Sequence, residues 1–162
     1  MHRQPRGLEA IVEEQVRRWE TRKKSRAMRS MGQHIWPVIT ISRQYGTRGA
    51  ALARQLSEHI GFECWDKEFV EKIADDHSAP IKLFESLDEH RRSVISEMIA
   101  SLMGSWNPSG AEYLREVSRI VHTLAEHGSA VIVGRGAQFI VYPDRALRVR
   151  IIASEEHRAQ DL

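Results

Sequence analysis

The spacing of apolar and polar residues changes several times along the chain, and each change marks a new element. Apolar residues recur every three or four positions over residues 7–30, with Leu8, Val12 and Trp19 on one face. This period predicts one amphipathic helix. Val38–Ser42, by contrast, is nearly all apolar or β-branched, as expected for a strand that is covered on both faces.

Strands and helices alternate through the rest of the chain. The patterns predict helices over 49–59, 67–75 and 111–127, a last helix capped by Ser154, and strands over 62–65, 130–133 and 146–153. Residues 78–128 are predominantly helical and form an insert between strands. This alternation predicts an α/β fold with a parallel, doubly wound sheet. Ligands of such sheets bind at the carboxyl ends of the strands.

The segment after the first strand combines a strand, a glycine-containing turn and a helix start. This is the frame of a phosphate-binding loop, in which main-chain amides and a helix N-terminus converge on one anion. The usual pattern G-x-x-x-x-G-K-[ST] also supplies a lysine and a hydroxyl. Here Gly49 stands at the lysine position and Ala50 at the hydroxyl position. The candidate loop residues are Ser42, Arg43, Gln44, Tyr45, Gly46, Thr47, Arg48, Gly49 and Ala50.

Polar residues also follow the other predicted strands. Asp66 and Lys67 follow the second strand, Arg135 the third, and Ser154 the last. Because the strands are expected to be parallel, these residues should gather at one edge of the sheet. Asp66 has two interpretations, since it could cap the helix that begins at Lys67 or contact a ligand. Arg43 and Arg135 could supply the positive charge that phosphoryl transfer needs.

Composition narrows the class of protein. The chain has 162 residues, 41% of them hydrophobic, which is enough for one domain with a core. Its one cysteine, Cys64, excludes an internal disulfide and fits a reducing cytoplasm. No apolar run approaches a membrane span and no signal peptide is recognisable, so a soluble, cytoplasmic protein is predicted. The eight histidines lack the spacing of metal ligands, and no metal site is predicted.

The basic excess lies at the N-terminus. Residues 1–36 hold nine Lys and Arg against four Glu, whereas the remainder is acidic overall. A basic helix can contact nucleic acid, but a solvated helix face is the favoured interpretation and nucleic acid is not expected. The apolar stripe around Trp19 must be buried on the same domain or on a second copy, which would give a homodimer through this helix.

Four segments, in order, resemble the cytidylate kinase-like family of nucleoside monophosphate kinases. They are Ile39–Gly46, Gly61–Glu68, Ala130–Ala137 and Val149–Arg158. The resemblance covers residues 37–162. It divides the chain into an N-terminal arm (1–36) and a kinase-like domain (37–162) that contains the helical insert (78–128).

The resemblance implies a three-layer α/β/α fold of the P-loop type, with a nucleotide-binding helical insert and an additional N-terminal helix. It implies transfer of the ATP γ-phosphoryl group to a nucleoside monophosphate such as CMP, with Mg²⁺ as the metal. Residues 42–50 would wrap the donor phosphates. Asp66, Lys67 and Arg91 would approach the acceptor nucleotide, and Arg135 would bridge phosphates near the transfer site.

Two departures leave other functions open. The family's arginine-rich lid and final strand are expected after Arg158, so the sequence looks like a fragment or a truncated relative. Without the loop lysine, the protein could instead be a non-catalytic nucleotide- or anion-binding regulatory module. A third hypothesis is an interaction protein that docks a partner, or a second copy, through its N-terminal helix.

Overall fold

The computed structural model describes residues 7–27, 38–104 and 108–160, which fall into two compact units. The first unit comprises residues 1–35 and 71–120, and the second comprises residues 36–70 and 121–162. Predicted helix residues 28–30 and the predicted domain boundary at 36/37 lie outside the described residues. In chain order the elements are α1 (Leu8–Ala27), β1 (Val38–Arg43), α2 (Gly49–Ile60), β2 (Glu63–Trp65), α3 (Lys67–Ala74), α4 (Ala79–Glu85), α5 (Glu89–Met103), α6 (Pro108–His127), β3 (Ala130–Val133), α7 (Ala137–Ile140), β4 (Ala146–Ile151) and α8 (Glu155–Gln160).

The second unit is built on a four-stranded sheet in the order β2-β3-β1-β4, with every pairing parallel. The predicted α/β class, with a three-layer α/β/α arrangement, is confirmed. β1 lies between two strands, and its first four residues, Val38 to Ile41, are buried on both faces. In its register with β4, Ser42 lies opposite Arg150, so the carboxyl ends of these two strands are neighbours.

One face of the sheet carries a compact apolar core. Ile39, Ile41, Val131 and Val133 form its buried centre together with Ala53 of α2. Each buried Val or Ile contributes about 1.5–3 kcal/mol relative to an exposed side chain. This packing fixes α2 against the strands, and with it the loop that joins β1 to α2.

Cys64 packs at the margin of this core and is half-buried. Burial raises the pKa of its thiol, against a weaker lowering effect of the Ser57 hydrogen bond. The thiol therefore stays protonated at neutral pH, which suits a packing role.

In the first unit, α1 packs against α4. Val12 and Trp19 are buried, and the ammonium of Lys82 on α4 binds the carboxylates of Glu9 and Glu13. The chain itself thus covers the apolar stripe of α1. Among the described helices, none is long and apolar enough to cross a membrane.

Local capping explains several helix starts. Asp76 accepts hydrogen bonds from the amides of Ser78 and Ala79 and so opens α4. The predicted cap of the last helix is confirmed, since the His157 amide donates to the Ser154 hydroxyl at 3.3 Å. The short helix α7 is not predicted by the sequence pattern, because four residues are fewer than periodicity can resolve.

Thr40 offers a test of the core. Its side chain is fully buried at the centre of the sheet, and its hydroxyl has no hydrogen-bond partner among the described residues. Thr40→Val removes this hydroxyl at nearly constant shape and should raise the free energy of unfolding by about 1 kcal/mol in urea titrations. Thr40→Ala leaves a cavity and should lower it. A valine variant less stable than the parent would contradict this account.

His122 predicts how stability depends on pH. The side chain is 5% exposed. Burial lowers its pKa to about 4, Arg145 adds to the lowering, and Glu126 opposes it. Because the pKa of His122 in the folded protein lies below the unfolded value of 6.5, the contribution of this histidine to stability is fully present above pH 6.5. As the pH falls from 6.5 towards 4, the free energy of unfolding should decrease by on the order of 3 kcal/mol in total.

The measurement is the thermal midpoint against pH for the parent, His122→Leu and His59→Gln. His122→Leu should flatten the slope between pH 6.5 and pH 4, whereas the change at the exposed His59 should leave it intact. An unchanged slope in His122→Leu would rule out this histidine as the source.

Candidate functional site

The loops that follow β1 and β3 meet the end of β4 around a cleft in the second unit. Its volume is about 380 Å³. Parallel strands deliver their carboxyl ends to one edge of the sheet, which is why these three segments converge. The cleft is lined by Ser42, Arg43, Tyr45, Gly134, Gly136, Gln138 and Arg150.

The loop after β1 is tied to the segment after β4 through Gln44. The Gln44 amide donates to the Ile151 carbonyl at 3.1 Å, and the Gln44 side-chain oxygen accepts from the Ala153 amide at 3.2 Å. Within the loop, the Thr47 hydroxyl donates to the Gln44 carbonyl at 2.8 Å. Every polar group of Gln44 except its side-chain NH₂ is thus hydrogen-bonded. These bonds couple the conformation of the loop after β1 to that of the residues that follow β4.

Gly46 shows how closely α8 approaches this loop. Its φ is +78°, and a Cβ at this position would lie 2.7 Å from the carbonyl oxygen of Arg158. Only glycine meets both conditions. The guanidinium Nε of Arg158 donates to the Ala153 carbonyl at 3.2 Å, which holds the first turn of α8 against the strand exit.

The loop carries main-chain donors that no described residue accepts from. Arg48 takes a left-handed conformation (φ 51°) as the N-cap of α2 and provides no side-chain cap. Among the described residues, no hydrogen bond engages the amides of Gly46, Thr47 or Gly49. Unused amides at the start of a twelve-residue helix are the groups that bind anions in phosphate-binding loops.

Arg43 lies against the start of α2. A Cβ on Gly49 would come within 2.6 Å of the Arg43 Cδ and 2.9 Å of its Cβ. The Arg43 Nη1 in turn is 3.7 Å from where a Cβ on Gly134 would stand. The side chain therefore runs from the β1 loop to the β3 loop and takes the space that a side chain at position 49 would need.

The β3 loop has an unusual backbone. Gly134, Arg135 and Gly136 all have positive φ, at 75°, 53° and 68°. A non-glycine residue in this region costs about 1–3 kcal/mol, and such strain clusters at functional sites. Two hydrogen bonds support the turn. The Gly134 amide donates to the Ile41 carbonyl at 2.9 Å, and the Ala137 amide donates to the Gly134 carbonyl at 3.1 Å.

The cleft is positively charged. Arg43 and Arg150 supply its charged side chains, and no carboxylate is found among the described residues that line it. Neither arginine forms an ion pair within the described part of the chain. Arg150 was missed by the sequence reasoning. The alternation of β4 and its pairing opposite Ser42 could have found it, had the strand register been known.

The other predicted site residues are distributed differently. Asp66 caps α3, since the Phe69 amide donates to its carboxylate at 3.0 Å, and Lys67 is exposed. Neither lines the cleft, and Arg135 sits between two glycines that do. Arg91 belongs to the first unit, where its Nε is 3.3 Å from the Asp88 carboxylate.

The model of the cytidylate kinase-like family matches residues 38–162. The chain belongs to this family. Its membership indicates a nucleotide kinase-like fold, as the sequence motifs predicted. No protein of curated function matches the chain.

Among solved structures, this member of the cytidylate kinase-like family is similar to an uncharacterized protein from Eubacterium ventriosum. The two are 20% identical with a TM-score of 0.43. The match covers 76% of this chain and 58% of the other. Within the described residues, no group of three or more His, Cys, Asp or Glu side chains is placed to hold a metal ion.

Because Arg43 packs against Gly49, we expect Gly49→Ala to change stability in the direction opposite to the usual one. Gly→Ala at a helix start normally stabilises by about 0.4–1 kcal/mol. Gly49→Ala should instead destabilise by about 1–3 kcal/mol, because the new methyl group displaces Arg43. In an Arg43→Ala background the contact with Cδ is lost and only the contact with Cβ at 2.9 Å remains, so the same change should destabilise less. If urea unfolding shows that Gly49→Ala destabilises both backgrounds equally, the Arg43 side chain is not the cause of the destabilisation.

Proposed function

We propose that this protein is a nucleoside monophosphate kinase-like phosphotransferase that takes ATP and a CMP-type acceptor, and that the cleft binds nucleotide phosphates. The observation that carries the proposal is the pair Arg43 and Arg150, which line the cleft with no acidic side chain among its described neighbours. Two guanidinium groups that form no ion pair with any described residue are suited to a polyphosphate.

Arg43 is proposed to replace the missing loop lysine. Its stem occupies the space above Gly49, and its guanidinium reaches the β3 loop. Phosphoryl transfer needs alignment of the two substrates and positive charge on the equatorial oxygens, with little covalent help from the protein. A guanidinium serves this purpose and stays charged at all physiological pH values. In this scheme Arg135, at the strained turn after β3, is the second catalytic arginine.

The two groups implied by the family fit the cleft unequally. Arg43 and Arg150 of the lining are suited to the phosphates of ATP, and the main-chain amides of Gly46 and Thr47, which follow Tyr45 in the loop, are proposed as further donors. Mg²⁺ has no carboxylate ligand among the described residues of the lining, where Ser42 offers a hydroxyl. The ion would therefore be held chiefly by the phosphates that it accompanies.

The acceptor side of the site rests on family resemblance. Asp66, Lys67 and Arg91 are proposed to contact the acceptor nucleotide, with Arg135 bridging towards the donor. The capping role of Asp66 leaves its second oxygen 3.9 Å from the Arg54 guanidinium.

A homodimer through α1 remains a proposal from the sequence, and the burial of Val12 and Trp19 within the described chain leaves less of the apolar stripe for a partner. A cytoplasmic location remains a proposal from the single cysteine.

One observation favours a second function, a non-catalytic nucleotide- or anion-binding module. Arg43 excludes any side chain at position 49, so the lysine of an ordinary phosphate-binding loop cannot be restored there without moving Arg43. A cleft that binds ATP without transferring phosphate would have this function. Turnover with ATP and each nucleoside monophosphate, followed by a coupled assay, separates the two possibilities.

The phosphate-binding part of the proposal is tested by calorimetric titration with tripolyphosphate. Arg43→Ala and Arg150→Ala should each weaken binding by roughly 10- to 150-fold, the loss expected for one charge-assisted contact of about 1.5–3 kcal/mol. Each should also flatten the salt dependence of the affinity.

Arg148→Ala is the matched control. It removes the same charge from the same strand, but Arg148 donates to the Val141 carbonyl at 3.0 Å and does not line the cleft. Equal losses in all three variants would indicate a diffuse charge effect. The absence of binding by the parent would overturn the proposal.

A further inference from the structure

Tyr45 is an exposed aromatic side chain that makes no stabilising polar or ring contact with the described residues. It is 80% exposed and lines the cleft beside Arg43. No hydrogen bond, ion pair or ring contact involves it among the described residues. Aromatic side chains are among the residues that predominate in the lining of small-molecule sites.

The backbone on both sides of Tyr45 is fixed. Before it, Gln44 is held by the Ile151 carbonyl and the Ala153 amide. After it, Gly46 packs against the carbonyl of Arg158 so closely that no side chain fits. A ring on such a backbone loses little conformational freedom when a ligand covers it, because only its own two torsions remain to be ordered.

The rest of the cleft fits a ligand with one charged end and one flat end. Arg43 and Arg150 are suited to phosphate, and the Gln138 amide adds a neutral donor and acceptor to the same lining. The volume of about 380 Å³ lies within the range of roughly 300–1,000 Å³ found for small-molecule sites.

We propose that the Tyr45 ring is a stacking platform for the base of the nucleotide whose phosphates occupy the cleft. The inference rests on the proposed function and adds to it that the site recognises a nucleotide by its base as well as by its phosphates. Every nucleobase has a flat face, so the contact favours nucleotides over inorganic polyphosphate without selecting one base.

The test compares three ligands by calorimetric titration of the full chain: tripolyphosphate, ATP and phosphoribosyl pyrophosphate, which carries phosphates and sugar but no base. The parent should bind ATP more tightly than the other two. Tyr45→Ala should weaken ATP binding by roughly 5- to 150-fold, the range for loss of one base–aromatic stack, and weaken tripolyphosphate binding far less. Tyr45→Phe retains the ring and should restore ATP affinity to near the parental value.

Tyr142→Ala is the control, because Tyr142 is an exposed tyrosine of the same unit (50%) that does not line the cleft. It should change none of the affinities, and a thermal scan of each variant checks that the fold is retained.

The outcomes separate the two levels of the proposal. If the parent binds neither tripolyphosphate nor ATP, the proposed phosphate site itself is wrong. If the parent binds all three ligands equally, or if Tyr45→Ala weakens them all alike, the phosphate site stands and the stacking platform is overturned. Binding of phosphoribosyl pyrophosphate as tight as that of ATP, lost in Tyr45→Ala, would mean that the ring contacts sugar, which also overturns the inference.

Discussion

The parallel pairing of β1 with both β3 and β4 is the constraint on which the candidate site depends. Because all three strands run the same way, the residues after each strand arrive at one edge of the sheet. The register that places Ser42 opposite Arg150 then fixes the spacing of the two walls of the cleft. The buried, two-sided β1 anchors this arrangement, since a slip of one residue would reverse every side chain of the strand.

In the sequence, the glycine at the lysine position of the β1 loop looks like a defect, but the structure gives this glycine a role. An ordinary phosphate-binding loop carries its cation on the helix that follows. Here the stem of Arg43 comes from the end of the strand and covers Gly49, so the absence of a side chain at position 49 is a condition for the arginine's position. Gly49 and Arg43 therefore have to be considered as one unit.

Much of the fold follows from hydrophobic periodicity, and the site follows from it only in part. The strands at Val38 and Ala130 were predicted because buried parallel strands are nearly continuous apolar runs. Arg150 was not, because its place in the cleft depends on which strand pairs with which, and periodicity does not encode pairing. For Asp66 the capping interpretation is confirmed by the hydrogen bond from the Phe69 amide, whereas a ligand contact stays a proposal. The left-handed turn at Arg135 likewise lies outside what residue type predicts.

On the proposed function, the charge of the cleft links the stability of its two loops to ligand binding. Arg43 and Arg150 line one small space without a carboxylate among their described neighbours there, and Arg48 and Arg135 hold left-handed backbone at its two loops. Like charges and strained torsions each raise the free energy of the empty protein. An anion that neutralises the arginines removes the first of these costs only in the folded chain. On the proposed function, nucleotide phosphates are thus part of what stabilises the two loops, and the strain at Arg48 and Arg135 can persist because the sheet and the ligand together determine it.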